Sequence, residues 1–113
     1  MEIKCETKED LGFIRLSGAL TAGVADRLRE QFSNWYAEEE NVSNLIVDMS
    51  GVESMDSSGL GALIGIMKKL AEKDVEMKLA ALQDKPRLVL EITRAYKIFD
   101  IFDTVEEAEG ACA

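Results

Sequence analysis

Two adjacent serines, Ser57 and Ser58, follow an aspartate and precede a glycine in the run Met55-Asp56-Ser57-Ser58-Gly59. Hydroxyls in such company can cap a helix, act as nucleophiles, line a phosphate-binding loop or accept a phosphoryl group from another enzyme. A nucleophilic serine needs a base, and the chain contains no histidine. The same absence removes phosphohistidine transfer, histidine acid–base catalysis and most zinc sites. Neither Gly-x-Ser-x-Gly nor Ser-x-x-Lys spacing is present at the pair, which argues against a hydrolase. Gly59-x-Gly61 lacks the third glycine of a dinucleotide fingerprint, and no Gly-Lys-Ser/Thr follows. Capping by Asp56 or Ser57 would satisfy the free N–H groups of a helix start. One cap is enough, however, and capping does not account for the second serine. The pair therefore reads as a cap with an acceptor hydroxyl beside it.

The glycines point the same way. Gly59, Gly61 and Gly65 lie in or near the helix that the serines open, where each interior glycine costs about 1 kcal/mol relative to alanine. Gly61 and Gly65 are four apart and share a face, roughly continuous with Ser58 and Ala62. A face this small and smooth suits close approach, either by another segment of the same protein or by a partner. Lys68 and Lys69 read as a solvated face with a lysine available to an acidic patch on that partner.

These residues need a scaffold. Ile3, Cys5 and Thr7 alternate with Glu2, Lys4, Glu6 and Lys8, the pattern of a half-exposed strand. Glu9–Gly12 reads as a turn, Phe13–Ser17 as the returning arm of a hairpin, and Gly18 as its punctuation. Ala25, Leu28, Phe32 and Trp35 predict a helix over 22–38, with Thr21 as its N-cap and a solvated acidic end at Glu38-Glu39-Glu40-Asn41. Leu45-Ile46-Val47 is a continuous apolar run, as expected of a central strand covered on both faces. A loop over 48–58 then leads from Asp48 to the serines, at the strand end where open α/β sheets gather function. The second helix is predicted over 57–73, with Leu60, Leu63, Ile64, Met67, Leu70 and Ala71 facing the core. Residues 76–80 alternate as a strand, Pro86 opens a helix over 86–94, residues 98–102 form a short edge strand, and Thr104-Val105-Glu106-Glu107 is a capping box. The order ββαβαβα, then βα, predicts an α/β fold: a mixed sheet of four to five strands with about four helices packed on it, in one domain over 1–113.

Composition narrows the partners. Thirteen Lys+Arg against 22 Asp+Glu give a net charge of −9, which disfavours nucleic acid and anionic membrane surfaces. No apolar run approaches the ~20 residues that cross a bilayer, and Met1-Glu2-Ile3-Lys4 lacks the pattern of a signal segment, so a cytoplasmic location is expected. Cys5 and Cys112 read as ordinary thiols. Met49, Met55, Met67 and Met77 read as core, Trp35 and Tyr36 as packing, and neither a metal nor a cofactor is expected.

Asp48-Met49-Ser50-Gly51-Val52 followed by Met55-Asp56-Ser57-Ser58-Gly59-Leu60-Gly61 resembles the signature of STAS domains, specifically the stand-alone bacterial anti-sigma factor antagonists. The likeness takes in Ser17-Gly18-Ala19-Leu20 and the closing stretch from Phe99 to Ala108. It implies that Ser58 is the residue phosphorylated by a partner that is both anti-sigma factor and serine kinase, and that a serine phosphatase reverses the modification. It further implies that the unmodified form binds the kinase and frees the sigma factor. Asp56, Ser57, Gly59, Asp48 and Thr21 would frame the serine, and Gly61, Ala62, Gly65 and Lys69 would meet the partner. Where many antagonists carry an acidic residue after Gly18-x-Leu20, this chain has Thr21, and Lys73-Asp74-Val75 replaces the usual glycine-rich turn. The free chain is expected to be a monomer without catalytic residues of its own. Two other readings fit parts of the pattern: a constitutive STAS scaffold or lipid-transport partner subunit, and a receiver domain phosphorylated on Asp48. The opening hairpin, and the lack of an acidic pair after a first buried strand, weigh against the receiver.

Overall fold

The alternation at the N-terminus produces the expected hairpin, with β1 (Glu2–Lys8) antiparallel to β2 (Leu11–Leu20). In the computed structural model, which describes residues 1–39 and 41–112, the turn tightens to Glu9-Asp10, with Glu9 in a left-handed conformation (φ 58). Leu11 and Gly12 already belong to the strand. The chain continues through α1 (Ala22–Tyr36), β3 (Asn44–Met55), α2 (Ser57–Ala71), β4 (Glu76–Ala80) and α3 (Asp84–Ile92). A single 3₁₀ turn over Ala95–Lys97 leads to β5 (Asp100–Phe102) and α4 (Val105–Gly110). Thr104 caps α4 as predicted, its Oγ1 accepting the Glu107 N–H at 3.0 Å. Glu40, part of the acidic run after α1, and Ala113 lie outside the described residues.

The five strands lie in the order β1-β2-β3-β4-β5, and every pairing after the hairpin is parallel. One sheet face, with Ile14, Leu45, Val47 and Leu79, packs against Leu28 and Phe32 of α1, Leu63 and Ile66 of α2, and Leu90 of α3. The other, with Phe13, Ile46 and Ala80, is covered by Ala108 of α4. Residues 45–47 are thus covered on both sides, as the unbroken apolar run predicts. Met49, Met55 and Met77 are buried in the main core, with Met67 packed on its margin. Cys5 and Cys112 are free thiols, and burial pushes Cys5 up to about 11. Tyr36 stacks on Phe32 at 5.3 Å, which is packing as expected. Lys78 departs from its alternation. It is 2% exposed, and its ammonium is satisfied by Asn44 Oδ1 at 3.2 Å and Glu76 Oε2 at 3.0 Å.

The main departure concerns residues 48–55, predicted as a loop. They extend β3 alongside β2, through the pairs Ser17↔Gly51, Gly18↔Val52, Ala19↔Ser54 and Leu20↔Met55. Two register shifts interrupt this pairing. They change the spacing of the buried residues to Met49, Val52 and Met55, so that no period-two pattern survives to announce a strand. Gly51 serves the close approach, since a Cβ there would lie 2.7 Å from the Leu16 carbonyl oxygen. Gly18, with φ +106, marks a shift inside β2 rather than the end of the strand.

The helix limits shift modestly. α1 and α2 each end two residues before the expected limits, and α3 begins at Asp84 and ends at Ile92. Arg94, in a left-handed conformation at φ 61, lies past the end of α3.

Candidate functional site

Extension of β2 and β3 to the paired residues Leu20 and Met55 brings two helix starts side by side, α1 beginning at Ala22 and α2 at Ser57. Asp56 stands between them. Its Oδ1 accepts the Gly59 N–H at 2.9 Å, the capping bond of α2. Its Oδ2 accepts the Ala22 N–H of α1 at 3.1 Å, while its own N–H donates to the Leu20 carbonyl at 3.2 Å. Thr21 occupies the N-cap position of α1 in extended backbone, but its side chain makes no capping bond. The expected Thr21 cap is therefore supplied from across the sheet: one carboxylate holds the first turns of two helices.

These donors stabilise the ionised form. The Gly59 N–H, joined by those of Ala22 and Ser58, holds the Asp56 carboxyl below its ordinary 3.8 against an opposing push from desolvation. Because the folded-state pKa is depressed, the stabilisation is full above the unfolded value and is lost as pH falls through the folded one. In Asp56→Asn one of the two oxygens becomes an NH₂ that cannot accept, which orphans either Ala22 or Gly59. The variant is expected to melt below the parent at pH 7. The gap should narrow as pH falls below about 4, the ordinary carboxyl range, and close as the parent carboxyl gains its proton at its lower folded-state value. A gap that is constant between pH 3 and 7 would refute the shared cap.

Gly59 is fixed by contact. A Cβ there would lie 2.2 Å from the Leu20 carbonyl oxygen, so the first turn of α2 rests directly on the end of β2. Ser57 is exposed and Ser58 half-buried in that turn. Both helix starts are held by Asp56, which leaves the Ser58 hydroxyl without a capping duty.

The small face runs down from here. Positions for a Cβ on Gly61 and Gly65 face the Arg29 guanidinium of α1, at 3.6 Å and 4.0 Å. Arg29 is tethered to Asp26 at 2.9 Å. A groove of about 190 Å³ between the helices is lined by Arg29, Phe32, Ser33, Gly65, Ile66 and Lys69, and the Lys69 ammonium donates to Ser33 Oγ at 3.0 Å. Gly61, Gly65 and Lys69 thus flank one α1–α2 seam. Ala62 does not: it is 0% exposed and packs in the core with Leu63 and Ile66. Its place one residue beyond Gly61 rotates it about 100° toward the sheet. Ala71, expected in the core, is exposed instead.

Asp48 also leaves the frame. It lies within β3 opposite Ala80, eight residues before Asp56 and on the order of 20 Å away along the strand. Its carboxylate accepts the Ser50 N–H at 3.0 Å and lies 4.0 Å from Arg15, which pairs with Glu6 at 2.7 Å. Among the described residues no group of His, Cys, Asp or Glu would hold a metal, and no helix is long and apolar enough to cross a membrane.

The STAS domain model matches residues 2–108. This chain belongs to the STAS domain family. Among its STAS relatives, an anti-sigma-B factor antagonist of Listeria monocytogenes is 32% identical over 97% of both chains. An antagonist of Mycobacterium paratuberculosis has the same fold, with TM-score 0.85 at 23% identity over 97% of this chain and 92% of that one. The antagonist SpoIIAA matches in its unphosphorylated form (TM-score 0.72, 21% identity, 96% and 94% covered). It also matches in the phosphorylated form from Bacillus (0.75, 23%, 99% and 100%). The STAS signature located the serine turn, but Arg29 and Ser33 bear no local mark. They enter the seam only because α1 and α2 pack side by side.

Proposed function

We propose that this STAS domain is an anti-sigma factor antagonist whose binding is switched by phosphorylation of Ser58. The observation that carries the reading is the division of labour in the first turn of α2. Asp56 holds both helix starts, and the neighbouring serine is left as an acceptor. The unphosphorylated chain binds an anti-sigma factor that is also a serine kinase, and so releases the sigma factor. Phosphorylation ends the binding, and a serine phosphatase restores it. The chain acts by binding in the cytoplasm and performs no catalysis itself.

Electrostatics favour a switch of binding over a switch of folding. A phosphoryl group adds about −1.5 to −2 charge at pH 7, which a helix N-terminus tolerates or mildly favours. In a closed interface the same group would be desolvated beside the Asp56 carboxylate, at several kcal/mol for an unpaired charge. The second effect is the larger. Incubation with ATP and the serine-kinase anti-sigma factors of the source organism should place one phosphate on Ser58 and dissolve the complex, read by mass spectrometry and gel filtration. Labelling confined to another residue, or a hydroxylamine-labile phosphate on Asp48, would defeat the reading.

The seam adds a prediction. The space at Gly65 admits a methyl group, so Gly65→Ala should stabilise the domain by about 1 kcal/mol through helix propensity. If the partner lies in the seam, that more stable variant should bind it less tightly. Unchanged affinity by calorimetry would remove Gly65 from the docking surface.

A further inference from the structure

We infer that the free edge of β1 is a self-complementary pairing surface, and that its occupant is a second copy of this chain. Among the described residues β1 pairs only with β2, so its outer edge carries unpaired backbone groups. α1 reaches the start of β1, where Arg27 donates to the Met1 carbonyl, and an open groove of about 650 Å³ lies beside that contact, bordered by Glu2, Ile3 and Lys4 on the strand and Arg27, Glu30 and Gln31 on the helix.

The charges on this strand select a partner. Glu2, Lys4, Glu6 and Lys8 share one face of the sheet, and Ile3, Cys5 and Thr7 the other. Two copies joined antiparallel about a two-fold axis at Cys5 place Glu2 opposite Lys8 and Lys4 opposite Glu6, twice each, with Ile3 opposite Thr7. Every charge meets its opposite. Sliding the pairing by two residues either way sets Lys4 against Lys4 or Glu6 against Glu6. Sliding it by one sets the charged face of one copy against the apolar face of the other. A single register is therefore favoured. A row of like charges on an edge strand would repel a copy of itself. This strand carries two acids and two bases within a chain of net charge −9, so it is a neutral segment on which the chain's overall charge does not bear. The expectation of a monomer gives way here to a reversible dimer with a ten-stranded continuous sheet.

Sedimentation equilibrium of the full chain, from about 1 to 500 μM at low salt, tests the pairing. The parent should show a concentration-dependent dimer that weakens as salt is added. Lys8→Glu faces Glu2 with a like charge at two symmetric positions and should weaken the dimer about tenfold. Glu2→Lys combined with Lys8→Glu restores opposite charges and should recover it. Both residues are exposed, and circular dichroism should confirm that each variant is folded. A parent monomeric at every concentration, a dimer indifferent to Lys8→Glu, or failure of the double reversal to rescue would each overturn the inference.

Discussion

Gly59→Ala is expected to cost about 3 kcal/mol of stability, at the upper end of overpacking effects, and to lower the melting temperature by about 12 °C. The methyl group would have to occupy space 2.2 Å from the Leu20 carbonyl oxygen. That oxygen belongs to backbone and accepts the Asp56 N–H, so it cannot swing aside as a side chain would. Moving it would loosen the junction of β2 with α2 and displace the carboxylate that holds α1. Gly65→Ala, six residues beyond the tight Gly59 and open to solvent, is the internal control: same chemistry, opposite sign. Urea denaturation of both variants measures the contrast. A Gly59→Ala protein that melts within about 2 °C of the parent would show that α2 can withdraw from the sheet without cost.

Ser58→Glu should lower affinity for the anti-sigma partner about a hundredfold, while Ser58→Ala keeps it within a few-fold of the parent. The estimate follows from placing an uncompensated charge in a docked surface, at about 3 kcal/mol or more, with 1.4 kcal/mol per factor of ten. Neither substitution should move the melting temperature appreciably, since the hydroxyl caps no helix and a carboxylate is welcome in a first turn. Calorimetric titration beside thermal melts separates the two effects. Loss of binding in both variants would make the serine a contact rather than a switch, and indifference to both would favour a constitutive scaffold.

What could be read from the residues, and what could not, divides along a physical line. Period-two alternation at Ile3, Cys5 and Thr7, the apolar run at 45–47 and the Thr104 capping box are local signals, and each produced the expected element. The serine turn was legible for the same reason: the cap Asp56, the serine pair and Gly59 lie within four residues. The far half of β3 was hidden because its irregular pairing with β2 replaced the alternation with a spacing of three. Asp48 was placed in the site on the assumption that the strand ends there, an assumption the hidden half removes. Ala62 was misplaced because α2 is covered on two sides, by the sheet and by α1, so its buried arc is wider than one apolar stripe suggests. The bond from Asp56 to Ala22 spans 34 positions and has no counterpart in any local pattern.

That bond separates two kinds of evolutionary freedom. Asp56 answers to two helices at once, so a chain that loses it must find two replacements together. Ser58 answers to neither. A lineage can therefore substitute Ser58 by a single codon change while the architecture beneath it stays still. The switch proposed at Ser58 is thus easy to change because the frame around it is not.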